Sequence, residues 1–182
     1  MSHSELSEQE LLRRESLQKL RELGIDPYPA ALYPVDAFAA DIKAQFEDGK
    51  QVCLAGRMLS QRIMGKASFA EIQDASGRIQ VYFNRDELCP GEDNTLYNEV
   101  FKKLLDLGDF IGVRGVVFKT QVGEISVHVT EFQLLSKSLR PLPLPKTDAT
   151  GVVHDAFTDP ELRYRQRYVD LVVNRHVKDV FI

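Results

Sequence analysis

The sequence predicts a mainly β fold: five strands with one helix between the third and the fourth, preceded by N-terminal helices. Three observations carry this expectation. From Gln51 onward the apolar residues recur with a period of two in four separate runs, and a fifth run, residues 110–119, is rich in Val, Ile and Phe. One stretch, residues 95–106, switches to helical spacing in the middle of them. Turn signals such as Asp74-Ala75-Ser76-Gly77 and Gln121-Val122-Gly123 separate neighbouring runs.

Residues 7–23 read as a helix, because Ser7 and Glu10 have the spacing of a capping box and Gly24 is placed to stop it. Leu11, Leu12, Leu17, Leu20 and Leu23 supply its rough apolar stripe. Pro27, Pro29 and Pro34 make residues 25–34 an extended connector. A second helix is expected at about 36–47, capped by Asp36, with Phe38, Ile42 and Phe46 packing at a spacing of four.

The first strand then puts Val52, Leu54, Gly56 and Met58 on one face and Cys53, Ala55, Arg57 and Leu59 on the other. In residues 67–74, Ala70 and Ile72 oppose Phe69, Glu71 and Gln73. In residues 78–84, Ile79, Val81 and Phe83 oppose Arg78, Gln80 and Tyr82. These three runs form an antiparallel meander with one buried face. The helix at 95–106 carries Leu96, Val100, Leu104 and Leu107 beside Tyr97, Phe101 and Leu105, and Gly108 ends it. Strands resume at 110–119 and 124–135, the latter with Ile125, Val127 and Val129 opposite Glu124, Ser126 and His128. The order βββαββ matches the five-stranded oligonucleotide-binding barrel, the OB-fold, and closure into a barrel is inferred from that match. Arg140-Pro141-Leu142-Pro143-Leu144-Pro145 is a stiff linker, continued irregularly through Gly151 and residues 155–159. Residues 160–174 look helical, with Asp159 as cap and Pro160 in the first turn. Val177, Val180 and Phe181 have nothing downstream to pack on before Ile182, the pattern of a truncated chain. The domains expected are a helical extension at 1–49, the barrel at 50–138, and a linker with the start of a further domain at 139–182.

Composition excludes several classes. No apolar run approaches the ~20 residues that span a bilayer, and the N-terminus lacks a secretory apolar core. Cys53 and Cys89 are isolated, which suits a reducing, cytoplasmic setting. His3, His128, His154 and His176 show no metal-ligand spacing, so no metal site is expected. The net charge is −4, but residues 49–70 carry Lys50, Arg57, Arg62 and Lys66 and no acid. Positive charge is therefore local, and a polyanion can be attracted there.

Strand phase gives this basic stretch its chemistry. If Ile72, Ile79, Val81, Ile125 and Val127 face the core, then Arg57, Phe69, Gln80 and Glu124 face outward. An outward Phe needs a cover. An unpaired base supplies one, and Gln, Glu and Arg beside it can read its edge or hold its phosphate. The other reading of the same residues packs Phe69 under the N-terminal helices and leaves the polar groups solvated. Arg62 and Lys66, and with them Lys119 and Lys137, are either phosphate contacts or solvated charges.

RIMGKASFAEIQDASGRIQVY resembles the anticodon-binding OB domain of bacterial-type class II lysyl-tRNA synthetases. The likeness continues through LGDFIGVRGVVFKTQVGEISVHV, LLSKSLRPLP and LRYRQRYVDL, and covers roughly residues 50–175. GKASF and RYRQRYVDL are its specific blocks. The aspartyl- and asparaginyl-tRNA synthetases share the barrel but fit GKASF and RPLP less well. The resemblance implies a module that holds the anticodon loop of tRNA(Lys), rich in U, with its bases splayed. It implies that Phe69 stacks on the central anticodon base, that Gln80 and Arg57 contact that base, and that Glu124 belongs to the same pocket. It also implies a homodimeric parent ligase that activates lysine with ATP and Mg²⁺. The three motifs of that ligase's catalytic domain are missing from this sequence, so a tRNA-binding fragment with no catalytic residues and no cofactor of its own is expected. Arg163, Arg165 and Arg167 fall at the junction with the catalytic domain, where packing and RNA contact are equally open. Two other readings are a general single-strand-binding OB module and a protein-docking barrel. The first calls for several outward aromatics along a basic groove, whereas the sequence offers Phe69 and Tyr82 on an acidic chain.

Overall fold

Long-range pairing in the computed structural model is concentrated in five strands: β1 (Gln51–Met64), β2 (Ala67–Gln73), β3 (Arg78–Asn84), β4 (Phe110–Lys119) and β5 (Ile125–Ser136). They close a barrel in the order β1-β2-β3-β5-β4. The structure describes residues 6–143, 146–147, 153–154 and 157–181. They fall in two compact units, Met1–Arg140 and Pro141–Ile182.

β1 closes the barrel by pairing twice. Its first half, Gln51–Arg57, runs against β4, and Arg57–Met64 runs against β2. A bulge between Met58 and Ser60 turns the strand from one neighbour to the other. At the bend a Cβ on Gly56 would meet the Gln73 carbonyl oxygen at 2.8 Å, so glycine permits the close approach. A second bulge, between Arg114 and Gly115, lies where a Cβ on Gly115 would come within 2.1 Å of the His128 carbonyl oxygen. The remaining seam is a short parallel pairing of β3 with β5, from Gln80 opposite Ser126 to Phe83 opposite Val129.

The inward phase is as expected: Met58, Ala70, Ile72, Ile79, Val81, Phe83, Val127 and Val129 are buried. Ile125 is only half-buried against this core. The helix after β3 forms, but as a π-helix, Leu96–Leu104, with the Leu105 N–H donating to the Val100 carbonyl five residues back. The wider turn buries Tyr97, Val100, Phe101 and Leu104, while Leu107 lies beyond it and is exposed. Phe101 packs on Phe83 with centroids 4.1 Å apart, and the Tyr97 hydroxyl lies 2.7 Å from Ser68 Oγ. A one-turn helix, α3 (Arg85–Leu88), follows β3 directly and is not marked in the sequence.

The N-terminal helices differ most from expectation. α1 (Glu8–Glu22) has its Ser7–Glu10 capping box. Yet its buried residues are Arg13 and Leu20, and Leu12 and Leu23 are exposed. Arg13 anchors the helix by donating to the carbonyls of Ser138 and Leu107 at 3.0 and 2.9 Å. α2 is shorter than expected, Ala39–Ala44, so Phe38 and Phe46 fall outside it and are exposed, while Ile42 packs. Asp36 is not its cap, because Asp36 accepts from the Cys53 N–H of β1. The β2–β3 turn caps α2 instead: Asp74 accepts from Ala39 N–H at 2.7 Å and Ser76 Oγ from Ala40 N–H at 3.0 Å.

Lys137 is a further correction. It is neither a phosphate contact nor solvated. Its buried ammonium donates to the Leu104 carbonyl at 2.8 Å, to Asp109 at 2.8 Å and to Asp106. Tyr28 donates to the Lys137 carbonyl, which ties the proline-rich connector to the end of β5.

In the second unit, Lys146–Thr147 pairs with Val153–His154 where only irregular chain was expected. The helical stretch at 160–174 is broken at Gln166 into α4 (Pro160–Arg165) and α5 (Arg167–Val173), and α6 (Arg175–Phe181) follows. Asp159 caps α4, with Pro160 in its first turn. Arg163 and Arg167 converge on the buried Asp170 at 3.0 and 2.6 Å, and Asn174 donates to the same carboxylate. Burial pushes this carboxyl up, but Asn174 and the two guanidiniums outweigh it and hold it below the usual carboxylate range. Arg165 makes only an exposed pair with Glu161. Val177 is buried and Val180 and Phe181 are exposed. His3, Leu144, Pro145, Gly151, Asp155 and Ile182 lie outside the described residues.

Candidate nucleic-acid interface

Strand register arranges the outward side chains of the barrel in two lateral rows. The first runs Arg62, Phe69, Tyr82, His128 across β1, β2, β3 and β5, each residue the direct partner of the next. The second runs Glu71, Gln80, Ser126, Phe118 across β2, β3, β5 and β4. Direct partners on one face of a sheet are within side-chain reach, so register alone places Phe69 beside Tyr82 and Gln80 beside Ser126.

The first row is a platform of rings. Phe69 and Tyr82 have centroids 5.0 Å apart, and Tyr82 and His128 likewise 5.0 Å. Phe118 reaches across from the second row to Tyr82 at 6.1 Å and to His128 at 6.0 Å. All four are half-buried, so each keeps part of its ring open to solvent. The Arg62 guanidinium lies 5.6 Å above the Phe69 centroid, within cation–π range, and is otherwise exposed. His128 Nε2 stands 2.9 Å from the Glu87 carboxylate but off its hydrogen-bonding direction.

Phe69 is therefore not packed under the N-terminal helices. It borders Arg62 and Tyr82 on the outer face. The Gln80 amide lies on the next row, with its oxygen 2.9 Å from the Ser126 hydroxyl. The other expected residues are set apart from this pair in different ways. Arg57 faces outward but is half-buried: its guanidinium lies 4.3 Å over the Phe110 ring and donates to the Gly108 carbonyl at 3.1 Å. Burial pulls that guanidinium down from its ordinary value. Glu124 precedes β5, in the hairpin where the Thr120 hydroxyl accepts from its N–H, and its carboxylate pairs with Lys43 at 3.1 Å. Lys66 is exposed at the β1–β2 turn and pairs with Asp86 at 3.0 Å.

Sequence phase sets Phe69, Gln80, Tyr82 and His128 outward, but it does not bring His128 or Phe118 to Tyr82. Both alternate outward in their strands, so the signal was present. What was missing was the pairing of β5 with β3, which brings their rings to Tyr82. Among the described residues no group of three His, Cys, Asp or Glu could hold a metal ion, and no helix is long and apolar enough to cross a membrane.

Such a face, rings flanked by an amide and a guanidinium, is able to stack unpaired bases and to hydrogen-bond their edges. Comparison with known proteins points the same way. Residues 52–135 match the tRNA anti-codon family, an OB-fold nucleic acid binding domain. The lysine–tRNA ligase of Christiangramia forsetii is 64% identical over 178 residues, covering 98% of this chain and 31% of the relative. That of Porphyromonas gingivalis is 62% identical over 187 residues, 100% of this chain and 32% of the relative. That of Azobacteroides pseudotrichonymphae is 57% identical, over 97% of this chain and 36% of the relative. The chain thus carries an OB domain of the tRNA anti-codon family at residues 52–135 and is similar over nearly its whole length to lysine–tRNA ligases, spanning about a third of the length of the curated relatives it matches.

Proposed function

We propose that the barrel, residues 50–138, binds the anticodon loop of tRNA(Lys), as part of a ligase that joins lysine to that tRNA. The observation that carries this reading is the half-open Phe69 ring on the outer face, with Arg62 above it and the Gln80 amide on the adjacent row. Phe69 supplies the stacking surface for the central anticodon base and Gln80 a group for its edge. Arg62 and Lys66 supply positive charge for the backbone, and Lys66 would exchange its exposed Asp86 partner for phosphate. Arg57 supports the site from β1, and Glu124 would reach the loop only by leaving Lys43. The helices at 1–49 and the segment 139–182 flank this domain, and Arg163 and Arg167 act as packing residues around Asp170.

The whole ligase is expected to be a cytoplasmic homodimer that uses ATP and Mg²⁺ to activate lysine. No group of three His, Cys, Asp or Glu among the described residues could hold a metal ion, and no residue of this chain is assigned to ATP, to Mg²⁺ or to a catalytic step. The test is titration with a lysine anticodon stem-loop and with one in which the central U is replaced. Preference for the first is expected, and equal affinity would overturn the reading. Phe69→Ala should weaken binding by ~1–3 kcal/mol, the usual worth of one base stacked on an aromatic ring. A general single-strand binder would instead hold oligo-dT as tightly as the stem-loop.

A further inference from the structure

A glutamine amide can offer a ligand its nitrogen or its oxygen, and at Gln80 one buried hydroxyl decides which. Ser126 is fully buried in the second lateral row, the direct partner of Gln80 on one side and of Phe118 on the other. Its Oγ lies 2.9 Å from Gln80 Oε1 and 3.5 Å from the Glu124 carbonyl oxygen. A hydroxyl has one proton to give, and the nearer acceptor takes it, since 3.5 Å is the outer limit of a useful bond. Turning the amide over would set Nε2 against the hydroxyl oxygen. The Ser126 proton would then have only the long contact to Glu124, a poor bond for a buried donor. Gln80 Nε2 makes no hydrogen bond among the described residues. Glu71, its partner on β2, has its carboxylate 3.5 Å from Arg78 instead. Both N–H groups of the amide are thus available to whatever covers the face beside Phe69.

We propose that Ser126 is a positioning residue that determines base specificity. By holding Gln80 Oε1 it makes the amide present donors only, so a base stacked on Phe69 is accepted through a carbonyl oxygen and refused through an exocyclic amine. Uracil offers O4 where cytosine offers an N4 amine, so the face selects uracil over cytosine. This rests on the reading that the face binds an unpaired base, and it adds which edge chemistry is selected and what enforces it.

The experiment compares the whole chain, Ser126→Ala, Ser126→Thr and Gln80→Glu, each titrated with stem-loops that differ only by U or C at the central anticodon position. The wild type should favour U by about tenfold, the scale of one correct against one opposed hydrogen bond. Ser126→Ala frees the amide to rotate, and the ratio should fall to about twofold or less. Ser126→Thr keeps the hydroxyl and should restore the ratio. Gln80→Glu should reverse it, because Ser126 donates to one carboxylate oxygen and the other accepts from the cytosine amine. A Ser126→Ala protein that binds both loops more weakly with the U-over-C ratio intact overturns the proposal, as does a Gln80→Glu protein that still favours U. A wild type that binds both loops equally overturns the anticodon reading instead.

Discussion

Lys137 and Arg62 are cations on the same barrel with opposite surroundings. Lys137 is fully buried and its ammonium is spent on one carbonyl and two carboxylates, those of Asp106 and Asp109. Arg62 is exposed, touches one aromatic face and retains its donors. The same contrast separates the two polar regions they belong to. Under the N-terminal extension, Lys137 and Asp109 are consumed by the fold, and Arg13 gives both of its terminal nitrogens to backbone carbonyls. On the outer face, Arg62 and the Gln80 nitrogen are left over. Charge alone marks Lys137 as well as Arg62, and what separates them on this barrel is the donor capacity that Arg62 leaves open to solvent.

The comparison breaks first at its buried side. Burial pushes the Asp109 carboxyl above the usual range, against the pull of Lys137 and of the Asp106 and Ser138 N–H groups. Lys137→Met removes the cation and leaves two carboxylates facing each other in its place. Losing one member of a buried pair costs ~3–5 kcal/mol, so urea unfolding should show a loss of that order. Binding of the stem-loop, measured where the variant is still folded, should hardly change. A Lys137→Met protein as stable as the wild type would show that the node is not the anchor described.

Phe69→Ala is the mirror experiment. It removes a half-open ring, so the unfolding free energy should fall by less than about 1.5 kcal/mol, below the cost of a fully buried side chain. Its effect should appear in RNA affinity. A large stability loss without an affinity loss would move Phe69 from the interface to the packing.

Asp74 stands between these extremes, with its carboxylate part-buried and used to cap α2. Burial pushes its carboxyl up, but the Ala39, Gly77 and Ser76 N–H groups and the Ser76 hydroxyl outweigh it and hold it below 3.8. A carboxyl lowered in the folded state contributes stability that is present above its unfolded value and is lost as pH falls through the folded one. Below 3.8 the wild type should therefore lose about 1 kcal/mol, the worth of an N-cap, and Asp74→Ala should lack that step in an unfolding titration against pH.

The barrel was legible because period two survives folding. Ile72, Val81 and Val127 are inward in the sequence and buried in the structure, so their outward neighbours Phe69 and Gln80 were fixed with them. The extension was less legible. Its helices bury few residues, and the anchor of α1 is a charged side chain, Arg13, that no apolar stripe reveals. The cap of α2 comes from Asp74, 35 residues away, where local spacing offers only Asp36. On the site itself, period two marks Ser126 as outward but does not say that it is buried against Gln80. That follows from the parallel β3–β5 seam, a non-local pairing.

Arg62 gives the smallest expected effect and the sharpest separation of roles on the open side. A cation over an exposed ring is worth ~0.5–1 kcal/mol, so Arg62→Gln should weaken stem-loop binding by about that much and leave stability unchanged. The salt dependence tells which contact was lost. If Arg62 neutralises a phosphate, the slope of log K against log salt should fall by about 0.7, the value for one contact on a single strand. If it only lies over the base stacked on Phe69, the affinity loss should persist at high salt with the slope intact. Loss of both effects in the Phe69→Ala background would show that the ring places the guanidinium, as their direct pairing across β1 and β2 requires.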